Sequence, residues 1–321
     1  MQNLANVITV SSNAPLGQVT TTLDSVHEQL RAGQIASPMA ELIADLSERR
    51  ESDPENWPAH VRYCLSHPVC QLLYQDPFTN RAFTKPRGYA GDAVMMDYIY
   101  GLGEAVPAAH EATPLGRAVF QYLGDRPSPK AVRFRRRLIA ELIDGVADRG
   151  GSSVLAIAAG HLREVELSAA VHSGKLREFV AFDQDEASMA LVEREYTRLG
   201  IRTMPGSVRQ ILAGNVSLGQ YDFVYAAGLF DYLNESAAAA LTRRMFDMTR
   251  PGGLMLIPNF LSGIEDSGYM EAVMDWKLIY RDHADMQALA DVLPRNAVAN
   301  CRIFNDDDDA IVFLLVRKAG E

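Results

Sequence analysis

The stretch VLAIAAGHLREVEL, residues 154–167, decides the fold. Its first six residues are apolar without a break, which marks a strand covered on both faces, as in a parallel sheet. The run ends at Ala158-Ala159-Gly160, and a helix is expected almost at once. A buried strand, a tight turn and a helix at the switch point of an open α/β sheet make the crevice where nucleotide-like ligands bind. The next apolar run, EFVAFD (178–183), closes on Asp183, 23 residues beyond Gly160, well placed to accept hydrogen bonds from ribose hydroxyls.

Working outward, YDFVYAAG (221–228) and GLMLIPNF (253–260) continue the same rhythm, separated by helical spacers. NCRIF (300–304) and AIVFLLVRK (310–318) are joined only by NDDDD, so they must form an antiparallel hairpin, because a parallel crossover needs a dozen residues or more. A weaker strand near 202–207 brings the sheet to seven strands. Upstream, residues from about 20 to 149 read as helical. In MAELIADLSERR, Met39, Leu42, Ile43 and Leu46 follow the i, i+3, i+4, i+7 pattern of one buried face. Further helices are expected at 21–31, 56–75, 93–101, 114–123 and 130–148, and DPFTNRAFTKPRGYAGD (76–92) reads as turn-rich. The expected organisation is a helical lid or substrate region over 1–149 and an α/β domain with a seven-stranded Rossmann-like sheet over 150–321.

The 321 residues carry 31 Lys+Arg against 41 Asp+Glu, a net charge of −10, with 48% hydrophobic and 22% charged residues. That balance describes a globular chain and disfavours nucleic acid or an anionic membrane as partner. The longest apolar run, Ala310 to Val316, is seven residues, far short of a membrane span. The start, MQNLANVITVSSNAP, lacks the basic segment and apolar run of a signal peptide. Cys64, Cys70 and Cys301 form no CxxC pair, and the seven histidines form no HxxxH pair. Reduced thiols in a cytoplasmic protein without a structural metal are expected. The run Asp306 to Asp309 reads as a solvated turn, since consecutive aspartates in a tight hairpin cannot all converge on one ion. The oligomeric state stays open.

A dinucleotide needs G-x-G-x-x-G so that its pyrophosphate can approach the backbone, and A-A-G-H-L-R supplies one glycine of three. S-adenosylmethionine (SAM) has no phosphate and tolerates such a turn. Residues 151–318 resemble the class I SAM-dependent methyltransferases. Four motifs match in order: the glycine turn (Gly160), the acidic end of the second strand (Asp183), GSV after the third (Ser207, Val208) and PGG before the fifth (Pro251 to Gly253). The first departs from the family's commoner G-x-G-x-G. The resemblance implies that Ala159, Gly160 and Ala227 line the cofactor, that Asp183 holds the ribose, and that Ser207 and Val208 flank the adenine. Glu164 would meet the cofactor's ammonium, although a carboxylate at a helix start is also favoured by the macrodipole.

KPRGYAGDAVMMDYIYG (85–101), AGLFDYL (227–233) and MDWKLIYR (274–281) are similar to a bacterial subgroup within that fold. The subgroup includes enzymes linked to 3-hydroxy fatty acid methyl esters, and the segments also resemble the azetidine-2-carboxylate synthases, which cyclise SAM itself. The likeness spans most of residues 60–318 and implies secondary metabolism. Tyr89, Phe230, Tyr232, Trp276 and Tyr280 are aromatics near turns and strand ends, where ring faces stabilise a sulfonium and also serve as core. Tyr89, in a Gly-flanked loop, is the better functional candidate. Arg87 or Arg135 is expected to bind the SAM carboxylate, with Arg133 an alternative. Asp92 binds the ammonium, orients Tyr89, or caps the following helix. His161 acts as a base or caps a helix with its ring in solvent. Tyr89, Asp92 and Tyr280 are the candidate catalytic residues, and Tyr232, Asn259 and Trp276 the candidate substrate pocket.

Three functions fit these residues. The first is methyl transfer to an oxygen of a small metabolite, a carboxylate among the candidates, since it is already ionised at neutral pH. The second is attack by the SAM amine on its own γ-carbon, giving azetidine-2-carboxylate and methylthioadenosine. The third is a SAM-binding module without turnover.

Overall fold

The apolar runs become β1 (Ser153–Ile157), β2 (Glu178–Asp183), β3 (Ile201–Pro205), β4 (Tyr221–Tyr225), β5 (Thr249–Phe260), β6 (Val298–Asn305) and β7 (Ile311–Lys318). They pair in one sheet of order β3-β2-β1-β4-β5-β7-β6. The first five are parallel, and β7 runs antiparallel between β5 and β6. The computed structural model describes residues 14–148 and 150–320, with side chains from residue 21. Residues 1–13, which hold most of the start read against a signal peptide, and Arg149, at the expected domain boundary, lie outside the described residues.

The chain forms two compact units that interleave along the sequence. One holds residues up to Thr84, 109–122 and 265–276; the other holds 85–108, 123–264 and Lys277 onward. In the sheet unit, alternate strand residues face opposite sides. Leu155, Val180, Val224 and Met255 pack with Leu241, Met245 and Met286 from the helices Glu235–Asp247 and His283–Asp291. Phe313 points the other way, its ring 5.8 Å from Phe134 of the helix Pro127–Ala147. Each fully buried side chain of this size stabilises the sheet by about 1.5–3 kcal/mol. The hairpin turn differs from the solvated run expected. Asp306 is buried, and its carboxylate accepts from the backbone N–H of Asp308, Ala310 and Ile311 at 3.0, 2.9 and 2.5 Å.

In the helical unit Met39, Leu42, Ile43 and Leu46 are all buried, as their period requires. Two expectations needed correction. The helix expected over 56–75 is two helices, Trp57–Ser66 and Val69–Leu73, because Pro68 cannot donate and forces His67 into extended backbone. The turn-rich segment contains a helix, Pro77–Thr84. Its first residue is a proline, which a first turn tolerates, and the Asp76 carboxylate caps it by accepting from Phe78 and Thr79 N–H at 3.0 and 2.9 Å. The segment 265–276 is tied into this unit by Glu271, which accepts from Arg50 Nε at 2.8 Å and Trp57 Nε1 at 2.7 Å.

Among the described residues no helix is long and apolar enough to cross a membrane, and no group of three or more metal-binding side chains is placed to hold an ion. Cys64, Cys70 and Cys301 are free thiols.

Candidate functional site

The strand order reverses between β1 and β4, so the switch point lies at the C-terminal ends of those strands. After β1 the chain passes through Ala158, Gly160 and Leu162 with φ of 52°, 55° and 53°. Alternate residues of the turn hold left-handed backbone, yet only the middle one is glycine. A 3₁₀ segment, Arg163–Leu167, follows in place of the expected α-helix. A Cβ at Gly160 would stand 3.3 Å from Cβ of Ala93, at the start of the helix Ala93–Tyr100.

Asp183 faces this turn. Its Oδ2 accepts the Gly160 N–H and its Oδ1 the Asp185 N–H, both at 2.8 Å. A carboxylate has about four acceptor positions, so the capacity to receive ribose hydroxyls remains. Burial raises its carboxyl above the usual range, against the pull of those N–H groups. Ala159 completes the junction by donating to the Phe182 carbonyl at 3.2 Å.

Arg87 is engaged within the fold. Its Nη1 donates to Asp185 Oδ2 at 2.7 Å and to Ser188 Oγ at 3.0 Å, and lies 3.3 Å from His161 Nε2. It thereby fastens the 85–92 loop to the helix Glu186–Tyr196. His161 is buried rather than turned to solvent. Its Nδ1 meets Asp97 Oδ2 at 2.8 Å, and its Nε2 lies on the Arg87 side of the ring. Asp97 also accepts from Arg163 Nε at 2.8 Å and Nη2 at 3.0 Å. Burial raises the Asp97 carboxyl, but His161 and Arg163 outweigh it and hold it below the usual range. The sequence reading missed Asp97. Its signal was legible: it is the one charged residue in AVMMDYIY, and a lone charge in an apolar helix requires a buried partner.

Tyr89 is 38% exposed and stands edge-on to Tyr232, ring centroids 6.3 Å apart. Its hydroxyl is pushed up to about 12 by burial and then by the fields of Asp183, Asp185 and Asp92, with Arg87 opposing. Asp92 caps the next helix, accepting from Met95 N–H at 3.0 Å.

Arg135 lies across the switch point from Asp183. It is 4% exposed, and its Nη2 reaches the Met96 sulfur at 3.5 Å. Its Nε has no hydrogen-bond partner, and it forms no ion pair with any described residue. A Cβ on Gly228, in the loop after β4 that holds Ala227, would be 3.7 Å from its Nη1. Glu164 is buried nearby, its Oε1 accepting the Tyr225 hydroxyl. Burial raises its carboxyl, more than Tyr225, Arg135 and Arg136 lower it. Arg133, the alternative arginine, clamps backbone instead, donating to the Gly124 and Ile99 carbonyls at 2.6 and 3.3 Å.

The loop after β4 ends in a 3₁₀ turn, Phe230–Tyr232. Phe230 is fully buried core, as its plainer reading held. Asp231, not singled out from sequence, is 3% exposed, and its Oδ1 accepts the Phe260 N–H at 2.7 Å. An acid between two aromatics at a strand end was the available signal. Asn259 is spent within the fold: its Nδ2 donates to the Phe260 and Ile279 carbonyls at 2.9 Å, and its Oδ1 accepts from Arg281 at 2.6 Å. Tyr280, half-buried, follows Ile279, whose N–H donates to the Asp231 carbonyl at 2.7 Å. Trp276 belongs to the helical unit and is buried there.

The GSV motif resolves into packing. A Cβ on Gly206 would meet the Phe182 ring at 2.5 Å, so only glycine fits. Ser207 forms a capping box with Gln210 at the start of the helix Val208–Ala213, and Val208 packs against the core.

No family model matches the chain, and no curated protein matches it. Among solved structures, a possible exported protein from Bordetella parapertussis aligns over 96% of this chain and 100% of its own, with 15% identity and a TM-score of 0.61. N-methyltransferase NodS from Bradyrhizobium japonicum WM9 aligns over 58% of this chain and 97% of its own, at 13% identity and a TM-score of 0.41. Magnesium protoporphyrin IX methyltransferase from Synechocystis PCC 6803 aligns over 74% and 100%, at 13% identity and 0.46. The seven-stranded order with its antiparallel β7 matches a Rossmann-like methyltransferase architecture. Within it, Arg87, Tyr89, Asp92, Ala159, Gly160 and Asp183 surround the turn after β1, while Arg135, Glu164 and Ala227 sit toward β4.

Proposed function

We propose that this chain is a SAM-dependent enzyme that transfers a methyl group to a small molecule. Arg135 carries the reading. A buried guanidinium keeps its charge at every physiological pH, and this one, in the field of Glu164 and Asp231, still has an unpartnered Nε with which to receive a further acceptor. The carboxylate of an amino-acid tail is such an acceptor. Arg135 would hold the SAM carboxylate, Glu164 the ammonium and Asp183 the ribose, with Ala159, Gly160 and Ala227 alongside and Ser207 and Val208 at the adenine. When bound, SAM supplies a sulfonium whose methyl carbon is open to in-line attack. The protein's contribution is to bind, orient and exclude water, with the Tyr89 and Tyr232 rings beside the charge. A carboxylate acceptor needs no base, but the negative field felt by Tyr89 opposes its entry.

Cyclisation of SAM to azetidine-2-carboxylate is the second reading. Glu164 favours it, because a carboxyl that burial pushes up is suited to take a proton from the amine it faces. Incubating the protein with SAM alone, followed by mass spectrometry, separates the two. Release of methylthioadenosine establishes cyclisation, and recovery of intact SAM removes it. Calorimetric titration tests the common premise: SAM binds the wild type, and Arg135→Met weakens it about tenfold or more, the loss of one charge-assisted contact of about 1.5–3 kcal/mol. Absence of SAM binding to the wild type would end both readings.

A further inference from the structure

We propose that Asp231 receives the proton of an amine acceptor, so that a small amine, rather than a carboxylic acid, is the class of molecule this site modifies; the proposal rests on the SAM-dependent reading. Asp231 follows directly on the switch-point loop and is held from several sides. Its Oδ1 accepts from Phe260 N–H and its carbonyl from Ile279 N–H, both at 2.7 Å. The carbonyls on either side of it, of Phe230 and Leu233, accept from Arg281 at 2.7 and 2.5 Å. The residue is 3% exposed, yet its Oδ2 takes no hydrogen bond from any described residue. An acid so fixed, with one oxygen anchored and the other uncommitted, is preorganised for a polar hydrogen that the fold does not supply.

The charges on Asp231 itself are Arg135 and Arg281, and the carboxylates that favour a cationic partner lie on the Tyr89 side. Tyr89 feels Asp183, Asp185 and Asp92, and the opposing Arg87 is already paired with Asp185. Tyr232, next to Asp231, adds an aromatic edge against Tyr89. Carboxylates and rings together attract an ammonium and repel a carboxylate. Burial moves the Asp231 carboxyl to about 6, while Arg135 and Arg281 pull it the other way, so it can accept a proton near neutrality. In the step, the proton passes from the ammonium nitrogen to Asp231 Oδ2. The freed lone pair then forms the N–C bond while the C–S pair returns to sulfur, leaving a neutral thioether and a methylated ammonium.

Asp231→Asn keeps an oxygen for the Phe260 N–H and removes the charge. The probes are S-adenosylhomocysteine and sinefungin, an analogue that carries an ammonium where SAM carries its methyl group. Both are titrated calorimetrically into the wild type and D231N. The wild type should bind sinefungin about fivefold or more tightly than S-adenosylhomocysteine, from one added charge-assisted contact. D231N should lose that preference while its S-adenosylhomocysteine affinity stays within about twofold. The same preference in both proteins overturns the assignment. So does a wild type that binds the two ligands alike, a result that decides the matter even where D231N does not fold. A wild type that binds neither ligand refutes the SAM reading itself, and the proposal falls with it.

Discussion

Replacing Asp231 by asparagine should make the protein more stable at neutral pH. The ordinary value for its carboxyl is 3.8, and burial moves it to about 6 in the fold. Between those values the folded protein keeps a proton that the unfolded chain has released. Stability therefore falls as pH rises through this window and stays lower above it. Two units at 1.36 kcal/mol each put the cost of the ionised group at about 3 kcal/mol by pH 7. Asparagine never ionises and retains the acceptor for Phe260 N–H, but it sets an NH₂ group in the field of Arg135 and Arg281, at a cost of about 1 kcal/mol. The net gain expected is about 2 kcal/mol at pH 7, turning into a loss of up to about 1 kcal/mol at pH 4. Urea unfolding of both proteins at pH 4, 5, 6 and 7, followed by circular dichroism, measures it as a difference. Asp76, whose carboxyl burial also moves to about 6, titrates in both proteins and cancels. A difference that stays flat from pH 4 to 7, or a less stable D231N at pH 7, refutes the reasoning. A gain in stability together with lost sinefungin preference would mark Asp231 as a place where the fold gives up stability for chemistry.

Gly206→Ala should lower stability by about 1–3 kcal/mol, because its Cβ would fall 2.5 Å from the buried Phe182 ring; a thermal midpoint equal to the wild type's would show that the ring can yield. Gly268→Ala would put a Cβ 2.5 Å from the Leu46 carbonyl carbon and 2.6 Å from Ser47 N, and backbone has no rotamer with which to escape. The cost should be about 3 kcal/mol or more. Trp57 and Trp276, the two tryptophans, both belong to that unit, so their fluorescence follows its unfolding directly. Tyr89→Phe keeps the ring beside Tyr232 and removes the hydroxyl, so stability should move by less than about 0.5 kcal/mol and SAM turnover should hold, whereas Tyr89→Leu, which removes the ring, should lower turnover. Unchanged turnover in Tyr89→Leu would take Tyr89 out of the chemistry.

The sheet was legible because its signal is strong and local. Continuous apolar runs named the parallel strands, and a short acidic loop forced the hairpin. The two helix differences in the helical unit share a cause, the position of a proline. Pro68 broke a helix that periodicity alone ran through, whereas Pro77 opens one that its presence seemed to forbid. The strand-end turn was legible where backbone geometry demands it: Gly160 takes a left-handed conformation and donates its N–H to Asp183. Side chains whose role depends on partners remote in sequence were not. Asn259 carries a polar group that suits a pocket, yet Arg281 and two carbonyls consume it. Arg87 lies beside Tyr89 as a free cation on paper, but Asp185, 98 residues away, has claimed it. Asp231 is the converse, an acid unremarked in AGLFDYL that is held by bonds from residues 260 and 279.

The turn after β1 holds left-handed backbone at residues that are not glycine. A-A-G-H-L departs from G-x-G-x-G, which would suggest a different backbone, but Ala158, Gly160 and Leu162 occupy the three glycine positions, all in left-handed conformation. For alanine and leucine that costs about 1–2 kcal/mol each. Burial of Leu162 offsets about as much at its own position. The remaining strain is held by polar bonds on both flanks. Asp183 grips the Gly160 N–H from β2, and Asp97 binds His161 and Arg163, the residues before and after Leu162. Arg163 is in turn anchored on Glu195 and Tyr196 at 2.7 and 2.9 Å. Asp97, His161 and Arg163 thus supply rigidity that glycines would have made unnecessary. This accounts for a histidine directly after the glycine turn without assigning it any part in catalysis. Its ring is a strut whose Nδ1 meets Asp97 and whose Nε2 meets Arg87, linking the Tyr89 loop to the turn that Asp183 reads.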